Sequence, residues 1–238
     1  MEAATTVEPA LGFLHQVRQQ CSTNGALFIL DEMITGFRWH LGGAQQLYGV
    51  TPDLSTFGKA LANGFALSAL VGRREVMERG GLRHGQERVF LLSTTHGAET
   101  SALAAALETM RIYREEGVVE VLYRQGERLR SGVREAARAN GVANHFDVLG
   151  NPTNLVYETR DRTGQPSQPF RTLFLQELIR RGVLAPSFVV SYSHRDEDID
   201  ATVDAVAEAF AVYRRALEDG PEPYLVGRPV RPVFRRFN

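Results

Sequence analysis

Lys59 is the only lysine among the 27 lysine and arginine residues of the chain. Guanidinium does most of what a surface ammonium does, and it often pairs carboxylates better. It keeps its proton near neutral pH, however, so it cannot become a nucleophilic amine or form a Schiff base. A bias that has turned every other surface cation into arginine but kept one ammonium marks Lys59 as a candidate for chemistry. The alternative is that one lysine escaped the bias by chance, and its surroundings decide. Asp31 is the second residue of interest, because it ends the short apolar run ALFIL (26–30).

The elements around these two residues must bring them together. ALFIL suits a strand covered on both faces, as in a parallel sheet. An amphipathic helix over 10–22, with Leu11, Leu14, Val17 and Cys21 at helical spacing, precedes it and stops at Asn24-Gly25. In open parallel sheets ligands bind at the carboxyl ends of strands, which is where Asp31 would sit. Residues 40–66 carry Leu41-Gly42-Gly43, Thr51-Pro52-Asp53, Gly58-Lys59 and Asn63-Gly64, and they read as a site-building loop region. That loop would return Lys59 to the same sheet edge. Strand alternation puts Asp31 and Met33 on one side and Glu32, with a structural role, on the other.

Further on, SALVG (68–72) and VFLLSTTHG (89–97) read as strands, the latter running into a polar loop. Helices are expected over Thr100–Glu115 and over 118–139. Strands at 142–149 and 153–159 flank a polar hairpin-like loop. A helix over about 170–181, the extended stretch 183–194 and a terminal amphipathic helix with Ile199, Val203, Val206, Phe210, Tyr213 and Leu217 on one face follow. The tail from Tyr224 reads as irregular chain. The fold class is α/β, with residues 1–117 as a sheet-and-loop unit and 118–238 as a smaller α+β unit.

Bulk properties narrow the function classes. A formal net charge of −1 gives no electrostatic case for nucleic acid or an anionic membrane. No apolar run reaches the roughly 20 residues that a membrane span needs. The amino-terminal MEAATTVEP has neither a basic nor an apolar signal region, so a cytoplasmic location is the default. Cys21 reads as a buried small hydrophobe in a helix, and the scattered histidines form no metal-ligand set. Tyr48, Tyr157 and Tyr192 read as core or interface aromatics.

A carboxylate at one end of a planar ring and an amine at its aldehyde carbon are what pyridoxal phosphate requires. The carboxylate keeps the ring nitrogen protonated, and the amine forms the Schiff base and then shuttles a proton. Asp31 and Lys59 supply that pair, and Met33 could pack on a ring face.

DEMITGFR (31–38), GGAQQLYGVTPDLSTFGKALANGF (42–65) and APSFVVSYSHRDEDID (185–200) closely resemble the class III pyridoxal-phosphate aminotransferases. Within that group they look most like the glutamate-1-semialdehyde 2,1-aminomutase branch, and the resemblance runs through essentially the whole chain. It implies the fold type I of these transferases, as part of the large domain plus the small carboxyl-terminal α+β domain. It also implies that Asp31 holds the pyridine nitrogen, Met33 stacks on the ring and Lys59 forms the Schiff base. A Ser/Thr within Ser93-Thr94-Thr95, Thr94 or Thr95 being favoured, would reach the cofactor phosphate of the partner subunit in a homodimer with shared sites. The implied reaction moves an amino group on a small amino or carbonyl substrate, by intermolecular transfer or as an aminomutase.

Two departures from the family pattern are visible. The phosphate-cradling loop and the second ring-stacking aromatic of the family's amino-terminal half lie outside this sequence, which begins near the middle of the pattern. A truncated non-catalytic remnant, or half of a split enzyme unable to hold cofactor alone, is therefore the alternative expectation. The aminomutases also carry a gating glutamate after A-P-S, whereas APSFVVSYSH has no acidic residue before Asp196.

Overall fold

A computed structural model describes residues 8–81, 83–87, 89 and 99–231. The chain divides into two compact units, with the division at Glu120–Val121.

In the first unit, helix α1 (Phe13–Thr23) leads into strand β1 (Ile29–Asp31). Helix α2 (Ala44–Leu47) and strand β2 (Leu54–Phe57) follow, then a 3₁₀ turn over Lys59–Leu61. Strand β3 (Ala69–Gly72), the short helix α3 (Arg74–Met77) and the long helix α4 (Thr100–Glu115) complete it. β1 and β2 pair in parallel with Asp31 opposite Thr56, and β3 joins β2 antiparallel. Residues 40–66 are thus more regular than expected. The turn residues Pro52 and Gly58 bracket a four-residue strand whose evidence is its pairing with distant chain rather than a local pattern.

β1 also departs from expectation, because it is not covered on both faces. Phe28 and Leu30 are buried beside Leu14 and Val50, whereas Leu27 and Ile29 are 49% and 55% exposed. Helix α1 packs on one face of β1, and alternation turns every second apolar side chain towards the other. Cys21 is half-buried against the Leu14 cluster rather than fully enclosed.

Asp53 fastens the amino end of β2. Its buried carboxylate accepts from Arg73 Nη1 and the Phe28 N–H, each at 2.8 Å, and from Arg18 Nη1 at 2.5 Å. Donation from Arg73, then the Phe28 amide and Arg18, pulls its pKa from 3.8 to about 2. A depressed carboxyl pKa contributes stability above the unfolded value, and that contribution is lost as pH falls through the folded value. Asp53→Asn keeps an acceptor for Phe28 but loses both ion pairs. Arg18 and Arg73 are partly solvated, at 28% and 49% side-chain exposure, so the cost is near the lower end of about 1.5–3 kcal/mol at neutral pH. Urea unfolding should show that gap between wild type and variant at pH 7 and its closure as pH approaches about 2. A gap independent of pH would contradict the role of the charge.

The second unit opens with helix α5 (Val118–Ala139), which starts just before the division. Strands β4 (Phe146–Leu149) and β5 (Val156–Thr159) form an antiparallel hairpin, followed by helices α6 (Gln168–Arg180) and α7 (Asp196–Asp219). Phe146, Tyr157, Phe174 and Phe210 pack with ring centroids 4.7 to 5.5 Å apart, in the range favoured by aromatic pairs. Gly132 lets α5 approach α7, since a Cβ there would lie 2.6 Å from a Val203 methyl. The stretch 183–194 forms no strand beyond one bridge, Leu155 to Phe188. The irregular tail is held by α6, where the Gln176 amide pairs with Tyr224 O at 2.9 Å and Val226 N at 2.8 Å. Among the described residues no helix is long and apolar enough to cross a membrane.

Candidate active site

Two adjacent strand ends build the site. Asp31 closes β1 in register with Thr56 of β2, and β2 runs on through Phe57 and Gly58 to Lys59. Oδ1 of Asp31 accepts from the Met33 N–H at 2.9 Å and from the Thr56 hydroxyl at 3.1 Å. Those two donors, Met33 foremost, together with the positive charge of Lys59, hold the Asp31 carboxyl below its ordinary value. It is therefore a carboxylate at neutral pH, on the open side of the sheet.

Lys59 sits at φ +45°, in the left-handed region that side-chain-bearing residues avoid. Holding an L-residue there costs on the order of 1–3 kcal/mol and persists only where the surroundings impose it. Gly58, just before it, lies under Met33: a Cβ at Gly58 would be 2.3 Å from the Met33 methyl. The thioether and the lysine turn are thus in direct contact. Leu61 and Ala62, at the end of that turn, pack on Ala106 of α4 together with Phe37 and Phe57. The small side chain of Ala106 lets the helix come close enough to support the turn.

The opposite side of β1 is closed. Glu32 is fully buried, and its carboxylate accepts from Ala44 N at 2.8 Å, from Gln45 N at 2.7 Å and from the Thr35 hydroxyl. Gly43 makes this possible, because a Cβ there would fall 2.6 Å from the Glu32 carboxyl carbon. Glu32 thereby hangs the loop before β2 on the strand end that carries Asp31. Ser55 extends the contact with a 3.3 Å hydrogen bond to Gln45.

Other polar and aromatic residues fall outside this pair of strand ends. Arg38 lies beside Tyr113, and burial lowers its pKa. The His194 ring turns back to accept from the Ser191 N–H at 3.2 Å, which is a turn-closing role. Tyr157 is buried and Tyr192 is 41% exposed. Thr94, Thr95 and His96 lie outside the described residues.

A model of the aminotransferase class-III family matches residues 3–210. The chain belongs to the class-III aminotransferases. It is 36% identical over 212 residues to a 3-aminobutyryl-CoA aminotransferase of Cloacimonas acidaminovorans, which covers 88% of this chain and 49% of the relative. It is 34% identical over 219 residues to a glutamate-1-semialdehyde 2,1-aminomutase of Thermomicrobium roseum, covering 88% of this chain and 50% of that protein. Among solved structures, the FumI protein of a Sphingopyxis species, in its PLP internal aldimine form, matches with a TM-score of 0.79 at 26% identity. That match covers 91% of this chain and 50% of the other. The chain therefore has the transaminase fold of type I over about half the length of such proteins, and it spans about half the length of the curated relatives it matches.

For this class-III aminotransferase chain, reasoning from sequence overlooks two contributors to the site's geometry. Thr56 carries no motif of its own, and its contact with Asp31 exists only through the register of β1 with β2. Gly58 reads locally as a turn signal, whereas its use is to accept the Met33 side chain.

Proposed function

We propose that this chain carries the lysine and ring-nitrogen part of a pyridoxal-phosphate site that moves an amino group on a small amino or carbonyl substrate. The observation that carries this reading is the placement of an ionised carboxylate and the chain's only lysine at neighbouring ends of strands β1 and β2. The donor set fits the cofactor's ring: an acid that can hold a proton on the pyridine nitrogen, a primary amine and a thioether beside it. When bound, pyridoxal phosphate supplies a cationic ring that accepts the electron pair left as a substrate carbon loses its proton. Asp31 holds the proton on the ring nitrogen. Lys59 would supply the primary amine facing the cofactor's aldehyde carbon and, as a free base, would move a proton through Nζ. Met33 packs on one ring face, and Thr94 or Thr95 contacts the phosphate of a neighbouring subunit's cofactor in a cytoplasmic homodimer. The reaction is aminotransferase or aminomutase chemistry, and the lack of an acidic residue between Ser187 and Asp196 favours the intermolecular form.

Exposed Leu103 and Leu107, one turn apart on α4 at 43% and 68%, support a self-associating surface. Light scattering with absorbance on the purified chain and pyridoxal phosphate is expected to give a dimer whose visible cofactor band bleaches on adding an amino donor. A monomer with one tightly bound cofactor would refute the shared site, and a band indifferent to every amino donor would refute amino transfer. The chain spans about half of each relative's length, which favours a second reading in which cofactor uptake needs further chain. Uptake only after adding the other half of a relative would select it.

A further inference from the structure

We propose that Thr56 is a positioning residue for Asp31, its hydroxyl fixing the carboxylate from the strand that also carries Lys59. The inference rests on the reading of Asp31 as the ring-nitrogen partner, and it adds a residue for which that reading has no role. Register carries it. Asp31 and Thr56 are direct partners in the parallel β1–β2 ladder, so their side chains share a face of the sheet. The Thr56 hydroxyl donates to Asp31 Oδ1 at 3.1 Å, on the same oxygen that the Met33 N–H reaches at 2.9 Å. Two donors on one oxygen, one from the turn after β1 and one from β2, fix both the rotation of the carboxyl group and its distance from β2. A β-branched side chain has few rotamers, which makes Thr56 a stiffer support than a longer polar residue. β2 ends in the Gly58–Lys59 turn, so one strand sets the position of the acid and of the amine. Thr56 is half-exposed, beside the open face where Asp31 lies.

A purely structural hydroxyl would leave the charge state of Asp31 untouched; a positioning hydroxyl would not. The test is a pH titration of the Asp31 carboxyl by NMR in the full cofactor-free chain carrying ¹³C-labelled aspartate, with Asp31→Asn used for assignment. Lys59 is the nearby titratable partner and stays unchanged throughout. Thr56→Val, which keeps volume and branching, and Thr56→Ala should both raise the Asp31 midpoint towards the ordinary aspartate value. Thr56→Ser should titrate with wild type. In the loaded enzyme Thr56→Val should lower kcat by about threefold to tenfold with KM little changed, and serine should restore it. An Asp31 midpoint that stays put in both the valine and alanine variants overturns the proposal, as does a serine variant that moves with them. The underlying reading fails on a different result, namely Asp31→Asn protein that binds cofactor and turns over like wild type.

Discussion

Replacing Lys59 with arginine is expected to reduce amino transfer to background while the chain stays folded. The substitution keeps the positive charge, the long aliphatic stem and the strained backbone position. It removes only the ability to present a neutral primary amine, because guanidinium stays protonated at any pH the protein survives. Losing the nucleophile of a covalent mechanism costs at least about a thousandfold. Borohydride reduction followed by digestion and mass spectrometry should yield a cofactor-labelled peptide spanning Lys59 in wild type and none in the variant. A labelled peptide from any other part of the chain would overturn the assignment. Lys59→Gly separates chemistry from folding. Glycine relieves the left-handed strain at φ +45° but adds freedom to the unfolded chain. Those effects oppose each other, at about 1–3 and about 0.5–1 kcal/mol, so the variant should be no less stable than wild type while cofactor attachment is lost.

Asp31→Asn is expected to retain cofactor and to slow proton transfer by about 10- to 100-fold. The amide oxygen can still accept from the Met33 N–H and the Thr56 hydroxyl, so the strand end keeps its local hydrogen bonds. What disappears is the negative charge that holds a proton on a basic ring nitrogen. A charge-assisted hydrogen bond contributes about 1.5–3 kcal/mol, which at about 1.4 kcal/mol per factor of ten gives that range. Single-turnover kinetics with a deuterated amino donor would isolate the step. Rates equal to wild type would count decisively against Asp31 as the ring-nitrogen partner.

The long elements were legible because their signals are local and repeated. α4 and α5 occupy the ranges expected from sequence, Thr100–Glu115 and 118–139. β2 was not legible: four residues between Pro52 and Gly58 offer too short a pattern, and what makes them a strand is their ladder to Ile29–Asp31 and Ala69–Gly72. The open face of β1 was hidden for the opposite reason. ALFIL is apolar at every position, so composition cannot say which side chains are covered. In the site, unusual residue types pointed to Asp31 and Lys59, but nothing in the sequence announces the left-handed backbone of Lys59. Side-chain-bearing residues adopt it too rarely to leave a signal, and tertiary packing imposes it here.

The adjacency of Asp31 and Glu32 has a consequence for the fidelity of folding. β1 is only three residues long, and a one-residue slip against β2 would present Glu32 where Asp31 belongs. Each acid is claimed by donors suited to its own reach. The longer Glu32 spans to the amides of Ala44 and Gln45, while the shorter Asp31 is met by Met33 and Thr56. That slip would leave the Ala44 and Gln45 amides facing Met33 and push Asp31 into the apolar place of Leu30, at a cost of about 1–3 kcal/mol or more for the unsatisfied groups. Two neighbouring acids of unequal length therefore act as a key and its guard, disfavouring the misaligned pairing that would displace the strand end from the lysine turn.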